Sequence, residues 1–237
     1  DKYLSKLCAG DIKASFCLTE ESGGTDILQA MRTKARRADN GWRLSGSKYW
    51  ISGAMHADLL IVLARTSEHR SRGVTMFLVD KPTQGVSASE INTFAINSYD
   101  TCSVAFDDVA LSGDTVLGEV DQGFIQVLST LNSERLNAAA VATGIGRGAQ
   151  QIAVEYARDR QAFGRPIGQF QSLQHRLVHA GVALEQAWLT TQMAAMAEEQ
   201  GQANIEVSSA IAKLAASKAA NEAVRTGMDT MGGAGFD

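Results

Sequence analysis

The pattern of apolar and polar residues changes near the middle of the chain and divides it into two predicted regions. Between about residues 14 and 108, short apolar runs at 59–63, 74–79 and 102–106 are separated by clusters of Gly, Asn, Asp and Ser. Apolar runs of this length, bounded by turn-forming residues, are typical of β-strands. We therefore predict a small β-barrel or β-sandwich in this half.

After about residue 118 the sequence becomes rich in Ala, Leu, Gln, Glu and Met, and apolar residues recur every three or four positions. This spacing predicts long helices near 124–159, 171–200 and 205–231. The helices form a predicted bundle, with Met193 and Met196 as core filling. Gly144, Gly146 and Gly148 lie among alanines with no strand before them, which favours close helix packing over a dinucleotide-binding loop.

These patterns predict an α+β chain with two domains. The first, a β-domain at 1–117, opens with the end of a helix at 1–10, and the second, a helical bundle, occupies 118–237. Because a helix end opens the chain and a glycine-rich turn closes it, we expect further protein outside these residues.

Composition narrows the classes of partner. The 237 residues carry a formal net charge of −4, with a pI near 5.6 and 45% hydrophobic residues. A chain with this charge balance lacks the excess of basic residues that is typical of nucleic-acid-binding proteins. The sequence also lacks an uncharged apolar run of about 18 residues, so it predicts no membrane span. Small molecules and copies of the same chain are the expected partners.

Cysteine and histidine give no sign of a metal centre. The three cysteines lack metal-ligand spacing, and we expect reduced, buried thiols in a cytosol-like compartment. His175 and His179 share a helix face but have no third ligand nearby, so surface or interface histidines are the favoured interpretation.

Two segments of the β half suggest a site for a flat, polar-edged ring. In the first, an alternating strand at 16–18 enters a turn rich in hydroxyls, carboxylates and glycines. In the second, Trp50 and Ser52 are predicted on one face of a strand, where an indole can stack on a ring and a hydroxyl can bond its edge. Each segment alone fits an ordinary strand exit or a core tryptophan, but together they favour a flavin site. The turn reads Thr19-Glu20-Glu21-Ser22-Gly23-Gly24-Thr25-Asp26.

Two further motifs follow in the helical half. One is Arg160-Gln161-Ala162-Phe163-Gly164-Arg165-Pro166-Ile167 with Gln171, and the other is Met231-Gly232-Gly233-Ala234-Gly235-Phe236. In this order and spacing the four segments resemble the acyl-CoA dehydrogenase family, over nearly the whole chain. The resemblance implies the family's fold: a β-barrel domain followed by an α-helical bundle, with the family's N-terminal helical domain absent from these residues.

The resemblance implies an FAD site shared between subunits. Trp50 would stack on the flavin, Ser52 would bond near its reactive nitrogen, and Arg160 would pair with the diphosphate. A site completed by a neighbouring subunit implies a homo-oligomer, which in this family is a tetramer. The implied FAD residues are Phe16, Leu18, Thr19, Thr25, Trp50 and Ser52 from one subunit, and Arg160, Phe163, Gln171, Gly232 and Gly233 from its neighbour.

The resemblance also implies positions for the substrate. Ser71 and Arg72 would contact CoA phosphates, with a solvated charged hairpin as the alternative, and Thr25 would border the substrate. Asn132 would contact the pantetheine and Arg135 would assist the acyl pocket.

The catalytic base is the sharpest question that the sequence raises. Glu134 matches the base position of a minority of the family that includes isovaleryl- and long-chain acyl-CoA dehydrogenases. Two alternatives stay open: Glu134 as a surface carboxylate in the first turn of its helix, and a base beyond Asp237. Asp229 stands where the family commonly has a glutamine that meets FAD, which puts that contact in doubt.

The implied reaction is α,β-dehydrogenation of an acyl-CoA thioester to a trans-2-enoyl-CoA, with electrons passed to an electron-transfer flavoprotein. The expected compartment is a bacterial cytoplasm, with the mitochondrial matrix as the alternative. Two other functions stay open. One is a flavin monooxygenase or oxidase acting on a non-CoA substrate, and the other is a subunit of a heteromeric dehydrogenase without a complete site of its own.

Overall fold

A computed structural model describes residues 2–69, 72–95 and 98–236. Within these residues the chain forms two compact units, the first ending at Leu128 and the second beginning at Ser129. The domain limits expected from the sequence, 1–117 and 118–237, stay a prediction.

The first unit is built on one mixed β-sheet. Its strands follow the order β6-β7-β3-β2-β4-β5-β8, and β1 joins β4. All the strands expected from the apolar runs are confirmed. The elements are α1 (Leu4–Ala9), β1 (Ala14–Cys17), α2 (Ile27–Ala30), β2 (Lys34–Ala38), β3 (Gly41–Ser52), β4 (Leu59–Arg65), β5 (Val74–Asp80), β6 (Val86–Glu90), β7 (Thr101–Ser112) and β8 (Val116–Leu117).

Strands β1 and β2 lie along the same edge of β4. Both run parallel to it, with Ala14 opposite Leu59 and Lys34 opposite Arg65, whereas β5 pairs antiparallel on the other edge. Residues 18–33 therefore leave the sheet after β1 and return to the same edge at β2. This segment, which contains α2, is called the 18–33 excursion below.

The interior of the sheet domain is apolar. Trp42 and Leu44 of β3 point into it at alternating positions, and the Trp42 ring meets Phe77 edge-on with 5.4 Å between ring centres. Cys17 and Cys102 are buried as expected, but Cys8 is exposed, because α1 buries none of its residues. The prediction for Cys8 was wrong.

The second unit consists of long helices joined by a short hairpin. The helices expected from the apolar spacing are confirmed almost residue for residue. No helix of the described residues has an apolar stretch long enough to cross a membrane. The elements are α3 (Gly123–Asp159), which begins in the first unit, then β9 (Gln161–Ala162), β10 (Arg165–Pro166), α4 (Gln171–Glu199), α5 (Ile205–Met231) and a closing 3-10 turn (Gly232–Phe236).

Small side chains line the core between these helices, which lets the helix backbones approach closely. Met193 and Met196 are not part of this core, since 72% and 57% of their surfaces are exposed. The prediction that they fill the core was wrong because α4 turns its alanines inward and its thioethers outward. The core residues are Leu136, Ala139, Ala180, Leu184, Ala187, Ala194, Ala212, Ala216, Ala219 and Ala223.

Gly146 marks a close approach of α3 to α4 and α5. A methyl group added to it would lie 2.5 Å from Leu184 Cδ2 and 3.0 Å from the Ala220 Cα. Gly144 and Gly148, by contrast, have no atom within 4 Å of that position. The helical interpretation of this glycine series is confirmed, and Gly146 is its packing residue.

We expect Gly146→Ala and Gly148→Ala to change stability in opposite directions. Gly146→Ala forces a methyl group against a helix backbone and should destabilise the protein by about 1–2 kcal/mol. Gly148→Ala meets open space and should stabilise it by up to about 1 kcal/mol, because alanine is the better helix former. Urea denaturation measures both, and a stabilised Gly146→Ala variant would contradict the packing role.

Candidate functional site

The structure brings the two motif segments of the β half together. The amide of Tyr49 donates to the Thr19 carbonyl at 2.9 Å, and the Ser15 hydroxyl donates to the Ser52 carbonyl at 2.8 Å. Phe16 is 41% exposed beside them. Leu18 is partly buried and Thr25 is exposed. The start of the 18–33 excursion thus lies against the end of β3.

Trp50 is aimed outward by a β-bulge. The pairing register of β3 with β7 shifts between Lys48 and Ile51, and Trp50 adopts a left-handed φ of 62°. A left-handed bulky residue is uncommon, and bulges often re-aim a side chain beside a functional site. The indole is 55% exposed and Ser52 is exposed with it. The ring of Trp50 and the hydroxyl of Ser52 are therefore both accessible to a ligand at the end of β3.

A buried ion pair lies behind these exposed residues. Lys48 is fully buried, and its ammonium donates to Glu20 Oε1 and to the Leu18 carbonyl, both at 2.9 Å. Glu20 also accepts the amides of Arg32, at 2.6 Å, and Thr33, at 3.0 Å. The sequence interpretation assigned no role to this pair. A signal was available, since Lys48 continues the alternation that buries Trp42 and Leu44.

The ion pair changes the pKa of both partners. Burial opposes the charged form of Glu20. The charge of Lys48 and the hydrogen bonds from Arg32 and Thr33 outweigh this effect and hold the pKa of Glu20 below its ordinary value. Burial lowers the pKa of the Lys48 amine, although Glu20 partly offsets this. The carboxylate is therefore firmly ionised and tied to a fixed cation.

Arg72, one of the two residues proposed for the CoA phosphates, lies between β4 and β5. Arg72 is exposed, and its amide donates to the His69 Nδ1 at 3.0 Å. Ser71 lies outside the described residues.

In the second unit, the hairpin between α3 and α4 displays its motif residues. Phe163 has a left-handed φ of 53° and is 95% exposed. Its ring is edge-on to Phe170 at 6.1 Å, directly before Gln171 opens α4. Arg160 is exposed, and its carbonyl accepts the Ile167 amide at 2.9 Å, which closes the base of the hairpin. A guanidinium, an aromatic ring and an amide side chain are thus all available at the surface.

The glycine turn presents bare backbone. Gly232 and Gly233 have no atom within 4 Å of where a side chain would start, and Gly232 has a positive φ of 60°. Asp229, one turn earlier, forms an ion pair with Arg176 of α4. The Arg176 guanidinium therefore compensates the charge of the Asp229 carboxylate.

Glu134 lies on α3 with its side chain exposed. It is about three turns into the helix, whose first turn contains no acidic residue. The expected place in the first turn was therefore wrong, whereas the exposure of Glu134 agrees with the alternative of a surface carboxylate. Nearby, the Oδ1 of buried Asn132 accepts from Arg135 Nη1 at 2.8 Å and from the Ser209 hydroxyl at 3.4 Å. Asn132 thus fixes the arginine that follows Glu134.

Among residues 2–69, 72–95 and 98–236, no group of three His, Cys, Asp or Glu side chains could hold a metal ion. His175 and His179 are both exposed on α4.

Family models match both parts of the chain. The model described as the acyl-CoA dehydrogenase middle domain matches residues 15–109, and the C-terminal domain model matches residues 121–237. The chain belongs to the acyl-CoA dehydrogenase family. The expected combination of a β-domain with a helical bundle is confirmed by these matches and by the fold.

Individual acyl-CoA dehydrogenases are similar across the whole chain. The short/branched chain specific acyl-CoA dehydrogenase of Rattus norvegicus is 36% identical over 236 residues, which cover 99% of this chain and 54% of that protein. The chain therefore spans about half the length of this relative.

Solved structures are also similar over the whole chain. Butyryl-CoA dehydrogenase from Megasphaera elsdenii superposes with a TM-score of 0.95 at 33% identity. The match covers 100% of this chain and 62% of the butyryl-CoA dehydrogenase chain. An FAD complex of PigA superposes with a TM-score of 0.96 at 30% identity, over 100% and 62% of the two chains.

Proposed function

We propose that this chain forms part of an FAD-dependent acyl-CoA dehydrogenase that converts an acyl-CoA thioester to its trans-2-enoyl-CoA. The observation that carries the proposal is the exposed indole of Trp50, which the β-bulge turns outward next to Ser52 and the 18–33 excursion. Family membership and the FAD complex of a solved relative support the same cofactor.

The described residues fit FAD in charge and shape. Trp50 and Ser52 offer a stacking face and an edge hydroxyl. Exposed Arg160 offers a planar cation for a diphosphate, and Gly232 and Gly233 offer amides without side chains in the way. In the proposed site, these groups come from two subunits. The remaining proposed contacts are Phe16, Leu18, Thr19, Thr25, Phe163 and Gln171.

Glu134 is the proposed base. When bound, FAD supplies the acceptor for the β-hydrogen, which leaves as hydride. Glu134 takes the α-proton, which is weakly acidic and needs a carboxylate held beside it. Asn132 holds Arg135 at the next position, and we assign Arg135 to the acyl pocket and Asn132 to the pantetheine.

The CoA phosphates are assigned to Arg72 and Ser71, and the substrate border to Thr25. Arg72 is exposed, and neither of its sequence neighbours, Ser71 and Gly73, is acidic. Its guanidinium therefore offers a positive charge for a phosphate.

The proposed assembly is a homotetramer in a bacterial cytoplasm that passes its electrons to an electron-transfer flavoprotein. A row of apolar side chains on α4, exposed by 50–72%, supports contact with further protein. The row consists of Val178, Val182, Leu189 and Met193.

Anaerobic titration of the purified protein with acyl-CoA thioesters tests the function. We expect bound flavin to lose its visible absorbance with at least one thioester in a panel of straight and branched chains. Adding an electron-transfer flavoprotein should then restore the colour. A protein that binds flavin but resists every thioester is not an acyl-CoA dehydrogenase. Reduction by a free acid or by an acyl group on another carrier would instead favour a substrate without CoA.

A further inference from the structure

The buried ion pair of Lys48 and Glu20 bonds the backbone at both ends of the 18–33 excursion. The Lys48 ammonium contacts the Leu18 carbonyl, where the 18–33 excursion leaves the sheet. Through Glu20 it also reaches the amides of Arg32 and Thr33, where the excursion returns. One pair of charges therefore fastens both ends of the segment that carries Gly23, Gly24 and Thr25.

The same lysine relates the excursion to Trp50. Lys48 is the last residue of β3 paired with β7 before the bulge, and Ile51 is the next. The Lys48 ammonium therefore ties the excursion to a point of β3 that lies two residues before Trp50. The Tyr49 amide adds a bond to the Thr19 carbonyl, and the Thr33 hydroxyl adds one to the Ser47 carbonyl at 3.1 Å.

Stability alone gives little reason for a charge pair here. The side chains of Lys48 and Glu20 are 0% and 7% exposed, so both charges are withdrawn from water. Replacing a buried ion pair by apolar residues of similar volume is often neutral or stabilising. What an apolar pair would not supply is the set of directed bonds to Leu18, Arg32 and Thr33.

We propose that Lys48 is a positioning residue, which with Glu20 holds the 18–33 excursion in register with Trp50 so that the two form one wall of the cofactor site. This rests on the proposed FAD-dependent function. It assigns Lys48 no contact with the cofactor or the substrate.

The test is the double variant Glu20→Gln/Lys48→Met, which removes both charges together and keeps one of the two oxygens that accept the Arg32 and Thr33 amides. Two measurements are made: the Kd for FAD, and hydrogen–deuterium exchange of the cofactor-free protein. We expect the variant to remain folded, to exchange faster within residues 18–33, and to bind FAD about tenfold more weakly, because binding must then order the excursion. Unchanged FAD affinity in the folded variant would overturn the proposal, whatever the exchange shows.

Lys81→Met is the matched control. The Lys81 ammonium also bonds backbone carbonyls, those of Ala54 at 2.6 Å and Met55 at 3.2 Å, but does not touch the excursion. We expect its FAD affinity to be unchanged. An equal loss of affinity in Lys81→Met would overturn the specific role of Lys48.

Glu20→Asp alone keeps the test decisive if the double variant does not fold. It keeps the counter-charge of Lys48 and the bond from Lys48 to the Leu18 carbonyl, but the shorter side chain draws the carboxylate away from the Arg32 and Thr33 amides, so exchange should rise near these two residues, with weaker FAD binding. Normal FAD affinity with raised exchange would overturn the proposal. If the unaltered protein binds no FAD, the proposed function itself fails, and this is established before any variant is compared.

Discussion

Glu134→Gln is expected to abolish reduction of the flavin by acyl-CoA while FAD stays bound. The amide matches the carboxylate in shape but cannot take the α-proton, and loss of a positioned base costs about 10²- to 10⁴-fold in rate. Stopped-flow measurement of flavin bleaching under anaerobic conditions gives this rate directly. FAD content and substrate affinity should change little, because Glu134 is an exposed side chain on the surface of α3.

Glu155→Gln is the control for Glu134→Gln. Glu155 is also exposed on α3 and bonds Gln151 of the same helix at 2.9 Å, so its loss should leave the bleaching rate unchanged. If Glu134→Gln is reduced as fast as the unaltered protein, the base lies elsewhere in the protein, and the assignment of Glu134 is withdrawn.

Lys48→Met alone is expected to destabilise the protein by about 3–5 kcal/mol. Methionine nearly matches the lysine stem in volume, but the substitution leaves the Glu20 carboxylate buried without its cation. A loss of this size is a large part of the 5–15 kcal/mol that typically holds a folded protein together. Urea denaturation followed by tryptophan fluorescence measures it. Adding Glu20→Gln should recover most of the loss, because no unpaired charge then remains.

Glu185→Gln provides the comparison for an exposed pair. Arg147 and Glu185 are in contact at 2.7 Å, but their side chains are 40% and 64% exposed. Removing such a pair typically costs about 0–1 kcal/mol, since water replaces the lost partner. A Lys48→Met variant no less stable than Glu185→Gln would show that the buried pair is energetically unimportant.

Much of the candidate site could be predicted because its motifs lie in regular elements or at their ends. Gln171 opens α4 and Gly232 follows the end of α5, as the helix pattern implies. Trp50 and Ser52 are exposed at the end of β3. What the pattern could not show is the left-handed backbone of Trp50, because a bulge depends on how β3 pairs with the distant strand β7.

The sequence by itself determined the order of the elements, the division into a β half and a helical half, and the family. Strand and helix periods are local properties of the backbone and can be seen in a single segment. Only the tertiary structure decided which polar groups meet. Lys48 and Glu20 are 28 positions apart, and Arg176 and Asp229 are 53 apart. It likewise decided that α4 buries its alanines rather than Met193 and Met196, because the space between packed helices is set by all of them together.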